Sequence, residues 1–412
     1  MRGTCRSFYC ALAVYAAAFT AASLGAAELA VPRLELETHG SMVDGDYTLA
    51  SHAAAELVLQ ASSAVGGKLR FNFDAVNLEE TLGLGGAEPQ TNGDGTVDEE
   101  EYRDLVDFFR SRNALAFALA KVTIRDMFSL PLEFSYFIGK DDVFCSGDEF
   151  PVRFGAAPFA TPFRGFAYDP DGIGGDPTFR YDGIHAPIGT GFSLALKAWK
   201  NVIPMVYAYQ DSAARLDDGS MAAGRYSGDL RLLVNAPLVK LEAFVGGTTE
   251  GALGRYRAGA LAFLSSGTGA DLLMQAGLTA WDVGETPTIE DWFFLFEPRI
   301  DFGPMAIVVT LFTHPLRYLQ RLTPEERGAI DINAKIIAGE AKDGTFDGGL
   351  ESTVRLRSAA AADEDNFSLA ISPFLGFMTD KVRWDFKVLV YPLRSDSPDE
   401  MVETSIGIRT AF

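Results

Sequence analysis

The chain has 412 residues, 48% of them hydrophobic, and sets 35 Lys and Arg against 56 Asp and Glu for a formal net charge of −21. So acidic a balance excludes a nucleic-acid-binding role built on a basic surface, although net charge by itself says nothing about fold. Past the N-terminal segment, no apolar run reaches the roughly 18–20 residues that a spanning helix needs.

The first element in chain order is an export signal. Arg2 and Arg6 precede an apolar stretch from Phe8 to Leu24, and the small residues Gly25, Ala26 and Ala27 stand before Glu28. This order predicts a signal peptide over 1–27, cleaved near Ala27. Cys5 and Cys10 would leave with it, and residues 28–412 would keep Cys145 alone. With one thiol in an oxidising compartment there is no internal disulfide framework, so stability must come from elsewhere.

The rest of the chain alternates. Leu69, Phe71 and Phe73 oppose Lys68, Arg70, Asn72 and Asp74; Tyr256, Ala258, Ala260, Ala262 and Leu264 oppose Arg255 and Arg257. Phe294, Phe296, Ile300 and Phe302 oppose Glu297, Arg299 and Asp301, and Val382, Trp384, Phe386, Val388 and Val390 oppose Lys381, Arg383, Asp385 and Lys387. The last strand sets Val402, Thr404, Ile406, Ile408, Thr410 and Phe412 against Glu403, Ser405, Gly407, Arg409 and Ala411. A charge held against lipid at mid-depth costs about 2–4 kcal/mol, so the charged face must look into a lumen. A soluble sandwich would also alternate, but its strands average about 5–6 residues, whereas here about ten is usual.

The periodicity predicts strands near 33–40, 48–60, 67–76, 114–125, 131–139, 191–200, 202–210, 225–235, 238–247, 254–264, 270–281, 292–302, 304–314, 328–340, 348–357, 366–376, 381–391 and 401–412. That makes an all-β, transmembrane antiparallel β-barrel of about eighteen strands, with sixteen as the alternative count. Short and long connections alternate along the series, with 341–347 longer than a short turn should be, and this puts both chain ends on the periplasmic side. Trp199, Trp281, Trp292 and Trp384 fall near strand ends, where interfacial aromatics belong. A barrel this wide leaves an aqueous channel. Its lumen face carries both signs, with Lys121, Arg231, Lys240, Arg257, Lys335, Arg355 and Arg383 beside Glu133, Glu242, Asp301, Asp331 and Glu351. A wet pore is expected to hydrate them.

On these residues the chain resembles the bacterial outer-membrane porin class. Such proteins end in an aromatic residue on an alternating strand, a pattern matched by Phe412, Ile408 and Ile406. The resemblance implies an outer-membrane location among its lipids, recognition of Phe412 by the barrel-assembly machinery, and passage of small hydrophilic solutes. It leaves homo-oligomerisation open. The other reading is a surface adhesin or structural barrel without open-pore activity.

Two connections carry content of their own. The 140–190 connection interleaves Phe150, Phe154, Phe159, Phe163, Phe166, Tyr168, Phe179 and Tyr181 with Arg153, Arg164 and Arg180, and is broken by proline and glycine. So aromatic a strip would aggregate if exposed. It is expected to fold into the lumen as a constriction loop or to cover the mouth as a lid. Arg153, Arg164 and Arg180, with Arg299 and Arg383 on the wall, are the candidate pore residues.

The second is the insertion at 83–112. Residues 90–101 overlay the twelve-residue EF-hand calcium loop: Asn92, Asp94, Asp98 and Glu101 supply side-chain oxygens, Thr96 its carbonyl, and Gly95 the sharp turn. Gln90 stands where the pattern has Asp, and no helix precedes the loop. The match therefore implies an atypical, weak calcium site. His39, His52, His185 and His314 show no metal-ligand spacing, and no catalytic motif is present. The chain reads as a channel and not as an enzyme.

Overall fold

The computed structural model describes residues 28–43, 46–76, 114–165, 168, 172–173, 179–212, 225–249, 254–282, 284–319, 321–323, 328–339, 346–357, 367–394 and 401–411. The expected signal peptide, the calcium loop at 90–101 and Phe412 lie outside the described residues.

The strands are β1 (Glu28–Val43), β2 (Asp46–Gln60), β3 (Val65–Val76), β4 (Ala114–Arg125), β5 (Leu132–Lys140), β6 (Ile188–Leu196), β7 (Val202–Asp211), β8 (Tyr226–Asn235), β9 (Val239–Thr248), β10 (Arg255–Ser265), β11 (Ala270–Asp282), β12 (Trp292–Asp301) and β13 (Met305–Thr313). A two-residue hairpin follows, β14 (Arg317–Tyr318) and β15 (Arg321–Leu322), and then β16 (Ile330–Gly339), β17 (Phe346–Leu356), β18 (Phe367–Thr379), β19 (Val382–Val390) and β20 (Val402–Ala411). Without the hairpin these form one antiparallel sheet of 18 strands, and β1 pairs with β20 from Arg33↔Ala411 to Gly40↔Thr404, which closes the barrel. Closure leaves no edge strand with unpaired backbone groups, as a membrane requires. Eighteen strands, not sixteen, is therefore the count.

Strand faces follow the alternation. On β8, Tyr226, Leu230 and Leu232 are exposed on the outside while Ser227, Asp229, Arg231 and Leu233 are buried inside. On β12, Trp292, Phe294, Phe296 and Ile300 face out, and Phe293, Leu295 and Glu297 are buried. Phe377 stacks on both Trp384 and Phe386 at one rim, and Tyr256 lies 6.2 Å from Trp281 at the other. One rim carries tight turns, such as the one after β12, where Gly303 takes φ +77, a conformation that favours glycine. Both ends of the described chain, at β1 and β20, lie on this short-turn rim. The opposite rim carries the long connections, together with the two-residue step from β1 to β2.

The first strand is longer than expected, Glu28–Val43 against 33–40, and the strand expected over 191–200 differs as well. β6 ends at Leu196, and Lys197 to Asn201 form the turn, so Trp199 sits at the rim and not in the strand. The Lys197 amide donates to the Pro131 carbonyl of the neighbouring turn, which closes the ladder there.

Leu230 lies at the middle of the outer face of β8. Leu230→Lys is expected to destabilise the barrel by about 2–4 kcal/mol, read from denaturant titration of protein refolded into bilayers; an unchanged midpoint would place that face away from lipid.

Candidate functional site

The connection 141–187 leaves β5 and returns at β6 on the long-connection rim, yet it runs inside the barrel. Its two legs pair where the Phe144 amide donates to the His185 carbonyl and the Ile184 amide to the Phe144 carbonyl. A short helix, α1 (Glu149–Phe154), ends at Gly155, whose φ of +65 turns the chain. That helix corrects the expectation that proline and glycine leave this segment without regular structure: Pro151 sits in the first turn, where its missing N–H costs nothing.

The segment is held by aromatic packing against lumen-facing side chains of β5 to β13. Phe144 meets Phe244 edge-on at 5.3 Å, Phe159 stacks on Phe263 at 4.5 Å, Phe163 lies 5.1 Å from Phe312, and Tyr181 lies 5.9 Å from Phe293. Phe144, Phe150, Phe159, Phe163 and Phe179 are all buried. Each is worth about 1.5–3 kcal/mol relative to exposure. The hairpin β14–β15 closes over the segment, with Tyr318 Oη donating to the Gly183 carbonyl at 2.8 Å.

Polar groups satisfy the segment's backbone. Glu242 on β9 accepts the Cys145 amide at 2.5 Å, and Gln275 on β11 donates to the Cys145 carbonyl at 2.7 Å. Arg231 donates to the Val143 carbonyl at 3.1 Å, and Arg299 to the Ala160 carbonyl at 3.2 Å. The Cys145 thiol is fully buried, and burial, then the charge of Glu242, pushes it well above the usual thiol range.

The charges expected to be hydrated are largely not. Arg231 pairs with Glu242 at 2.8 Å, Arg257 with Asp229 at 2.6 Å and Arg355 with Asp331 at 2.8 Å, all buried. Pairing and hydrogen bonding, not water, meet the desolvation cost there. At the root of the segment Lys121 holds Asp141 at 2.7 Å and Asp142 at 2.8 Å, and Arg153 bridges Asp142, Glu133 and Glu149. Burial raises both aspartates. For Asp142 the nearby Lys121, Arg153 and Arg231 outweigh it and hold the carboxyl well below the usual range. For Asp141 burial and the Asp142 charge prevail over Lys121 and push it to about 6.

The other half of the lumen is polar and partly solvated. It is walled by β1 to β3 and β16 to β20. Arg33 pairs with Glu35, Lys68 and Arg70 with Glu56, Arg383 with Asp347 and Asp385, Arg409 with Asp385, and Lys335 and Lys387 with Glu351. The segment reaches across to this wall, where Tyr168 lies under the Lys387 ammonium at 5.4 Å and Gly165 approaches Glu37. On the opposite side, beneath the packed segment, a cavity of about 570 Å³ opens between Gly155–Phe159 and the short-turn rim of β6 to β11, lined also by Lys200, Asn201, Asn235, Lys240 and Asp271.

The five candidate arginines do not converge. Arg153 is buried in the root network, and Arg299 pairs with Glu297 beneath the segment. Arg164 forms a forked pair with Asp148 and is part-exposed, Arg180 is half-buried, and Arg383 stands on the open wall. No group of three or more metal-binding side chains occurs among the described residues; the loop holding Gln90, Asn92, Asp94, Thr96, Asp98 and Glu101 is outside them. Residues that pattern reading passed over are the lumen-facing Tyr207, Tyr209, Phe244, Phe263, Phe293 and Phe312. Their signal was present: Phe293 and Leu295 share the parity of Glu297 and Arg299, so the inner face of β12 is half apolar.

No protein-family model matches the sequence, and no curated protein sequence matches it. Among solved structures the chain is similar to OccAB2 of Acinetobacter baumannii, with 11% identity, a TM-score of 0.51, and coverage of 94% of this chain and 98% of that one. It also aligns with Wzi of Escherichia coli (11% identity, TM-score 0.46, 93% and 85% coverage) and with a mutant of the Rh. blastica porin (10%, 0.45, 93% and 100%). At such identity the likeness to OccAB2 is one of fold.

The root network sets a pH dependence of opposite signs. Asp142, depressed in the folded state, stabilises above its ordinary value of 3.8 and loses this as pH falls further. Asp141, raised to about 6, binds its proton more tightly when folded, so stability declines as pH rises from 3.8 through 6. Asp141→Asn should therefore raise the thermal midpoint at pH 8 relative to wild type and lose that advantage at pH 4. An equal shift at both pH values would remove Asp141 from the linkage.

Proposed function

We propose that this chain is an outer-membrane channel through which small hydrophilic solutes diffuse passively, narrowed by the inward-folded segment 141–187. The observation that carries the reading is the division of the lumen. One half is packed dry, and the other keeps a wall of part-exposed ion pairs. A structural barrel would need no such wall, because part-exposed charge in a lumen makes sense only beside water. The porin-like fold supports an outer-membrane setting, in which the lipid receives the outer face and the assembly machinery reads the terminal Phe412. Purified protein in a planar bilayer should give discrete conductance steps. Removal of about residues 150–180 should raise the single-channel conductance several-fold, since aqueous cross-section governs it. A folded, silent wild-type barrel would defeat the channel reading, and an unchanged conductance in the folded deletion would defeat the constriction.

We also propose that 90–101 binds one calcium ion through Asn92, Asp94, Asp98 and Glu101, with Thr96 giving its carbonyl and Gln90 weakening the first position. Hard oxygen donors suit calcium over zinc. The expected affinity lies in the range of about 10⁻⁴–10⁻³ M seen for extracellular modules. Calorimetry should show binding to the wild type that Asp94→Ala with Glu101→Gln abolishes. No heat at millimolar calcium would end the proposal.

A further inference from the structure

Lys121, on the inner face of β4, meets two buried carboxylates. Its ammonium donates to Asp142 at 2.8 Å and touches Asp141 Oδ1 at 2.7 Å. The second contact lacks hydrogen-bond geometry, and neither oxygen of Asp141 has a hydrogen-bond partner. Yet Asp141 is wholly buried and the Lys121 side chain is only 9% exposed. A carboxylate left in that state is costly while it stays ionised. Other buried carboxylates of the lumen are bonded: Glu297 accepts from Thr161, Thr310 and Arg299, and Asp331 accepts from Arg355. Among the described residues, Asp141 is the only buried carboxylate with both oxygens left over.

The two groups are fixed from both sides. The Asp141 amide donates to the Pro187 carbonyl at 2.9 Å, which ties it to the returning leg of the segment. Lys121 stands opposite the buried Phe137 on the β4–β5 ladder, and Tyr207 is buried beside the pair. Amine and carboxyl are thus held in contact where water is scarce, the condition under which bound groups react as if at very high concentration. Burial and the Asp142 charge hold Asp141 towards the neutral acid, whereas Asp142 stays ionised. A neutral carboxyl carbon can be attacked by an amine, and a neighbouring carboxylate can carry the proton.

We propose that Lys121 and Asp141 condense into an isopeptide bond, which staples the root of the inward segment to the barrel wall. A proton passes from the ammonium to the Asp141 carboxylate, leaving an amine and a carboxylic acid. Nζ then attacks Cγ, and Asp142 takes a proton from that nitrogen and gives it to the departing hydroxyl. One C–N bond forms, one C–O bond breaks and one water leaves, so no other reagent is needed. The product is a neutral amide, which removes the orphaned charge of Asp141, and Asp142 keeps Arg153 at 3.6 Å. The bond closes a covalent loop over β4 and β5 in a chain whose residues 28–412 offer Cys145 no second cysteine. Such a loop restrains the unfolded chain as a disulfide would. The pH dependence of Asp141 argued above belongs to the open pair and vanishes once the pair is joined.

The test is mass spectrometry of the mature barrel, purified from membranes, unfolded and digested with trypsin. Trypsin does not cleave after a lysine held in an amide, so residues 113–125 should appear joined to 141–153, one water lighter than the two together. Lys121→Arg keeps the charge without the amine and should release 141–153 as a free peptide of full mass. Asp142→Asn keeps both reacting groups and should slow the joining roughly tenfold or more when refolded protein is sampled over time. A folded wild-type barrel that yields only free 141–153 overturns the staple. A water loss that persists in Lys121→Arg overturns it too, because the loss then arises elsewhere. Joining in Asp142→Asn as fast as in the wild type overturns the proton-carrying role of Asp142.

Discussion

An eighteen-strand barrel encloses more space than its own inward side chains can fill. Alternation sends every second residue of each strand into that space, and the outer residues are committed to an apolar surroundings. Whatever faces inward must then be covered, paired or wetted. The chain uses all three. Segment 141–187 covers the apolar inner faces of β5 to β13, ion pairs hold the charges trapped beneath it, and the remaining wall stays against water. The position of the segment is thus a consequence of barrel width and of which inner faces are apolar.

The two sets of ion pairs do different work although they are made of the same residues. Arg231–Glu242 and Arg257–Asp229 are fully buried and tie into the segment or the strands around it. Breaking one partner of such a pair leaves a stranded charge and costs about 3–5 kcal/mol. Exposed pairs such as Arg33–Glu35 contribute roughly 0–1 kcal/mol to stability. The open wall therefore keeps many charges that the fold hardly needs.

The barrel was legible in the sequence because its cause is local. Residues such as Val402 to Arg409 alternate within one strand, and the same parity reappears in the structure, with Glu403 and Ser405 buried and Val402 and Ile406 exposed. The interior was less legible because its cause is not local. Phe144 and Phe244 are one hundred residues apart in sequence and meet only when the segment turns inward. Arg153 and Arg299 looked like pore cations by composition, yet Glu149, Glu133 and Glu297 claim them. Nothing in a strand's own pattern says whether an inward charge meets water or another charge. The half-apolar inner face of β12 was the one hint that part of the lumen would be dry.

The same distinction governs the sign of the lumen. A net charge of −21 invites the expectation of a cation-attracting pore, but net charge is a sum over places that do not see the solute. Glu133, Asp141, Asp229, Glu242, Glu297 and Asp331 are buried. Carboxylates make good buried partners because they are short and accept several hydrogen bonds, as Glu297 accepts from Thr161, Thr310 and Arg299. Arginine and lysine are long and, where no buried carboxylate claims them as Glu242 claims Arg231 and Asp229 claims Arg257, can keep their heads towards water along an apolar stem. On the open wall, pairs such as Arg33–Glu35 and Lys68–Glu56 leave the longer cation the more exposed partner, whereas Asp385 is more exposed than Arg383. The field a solute meets is then set by reach, not by composition.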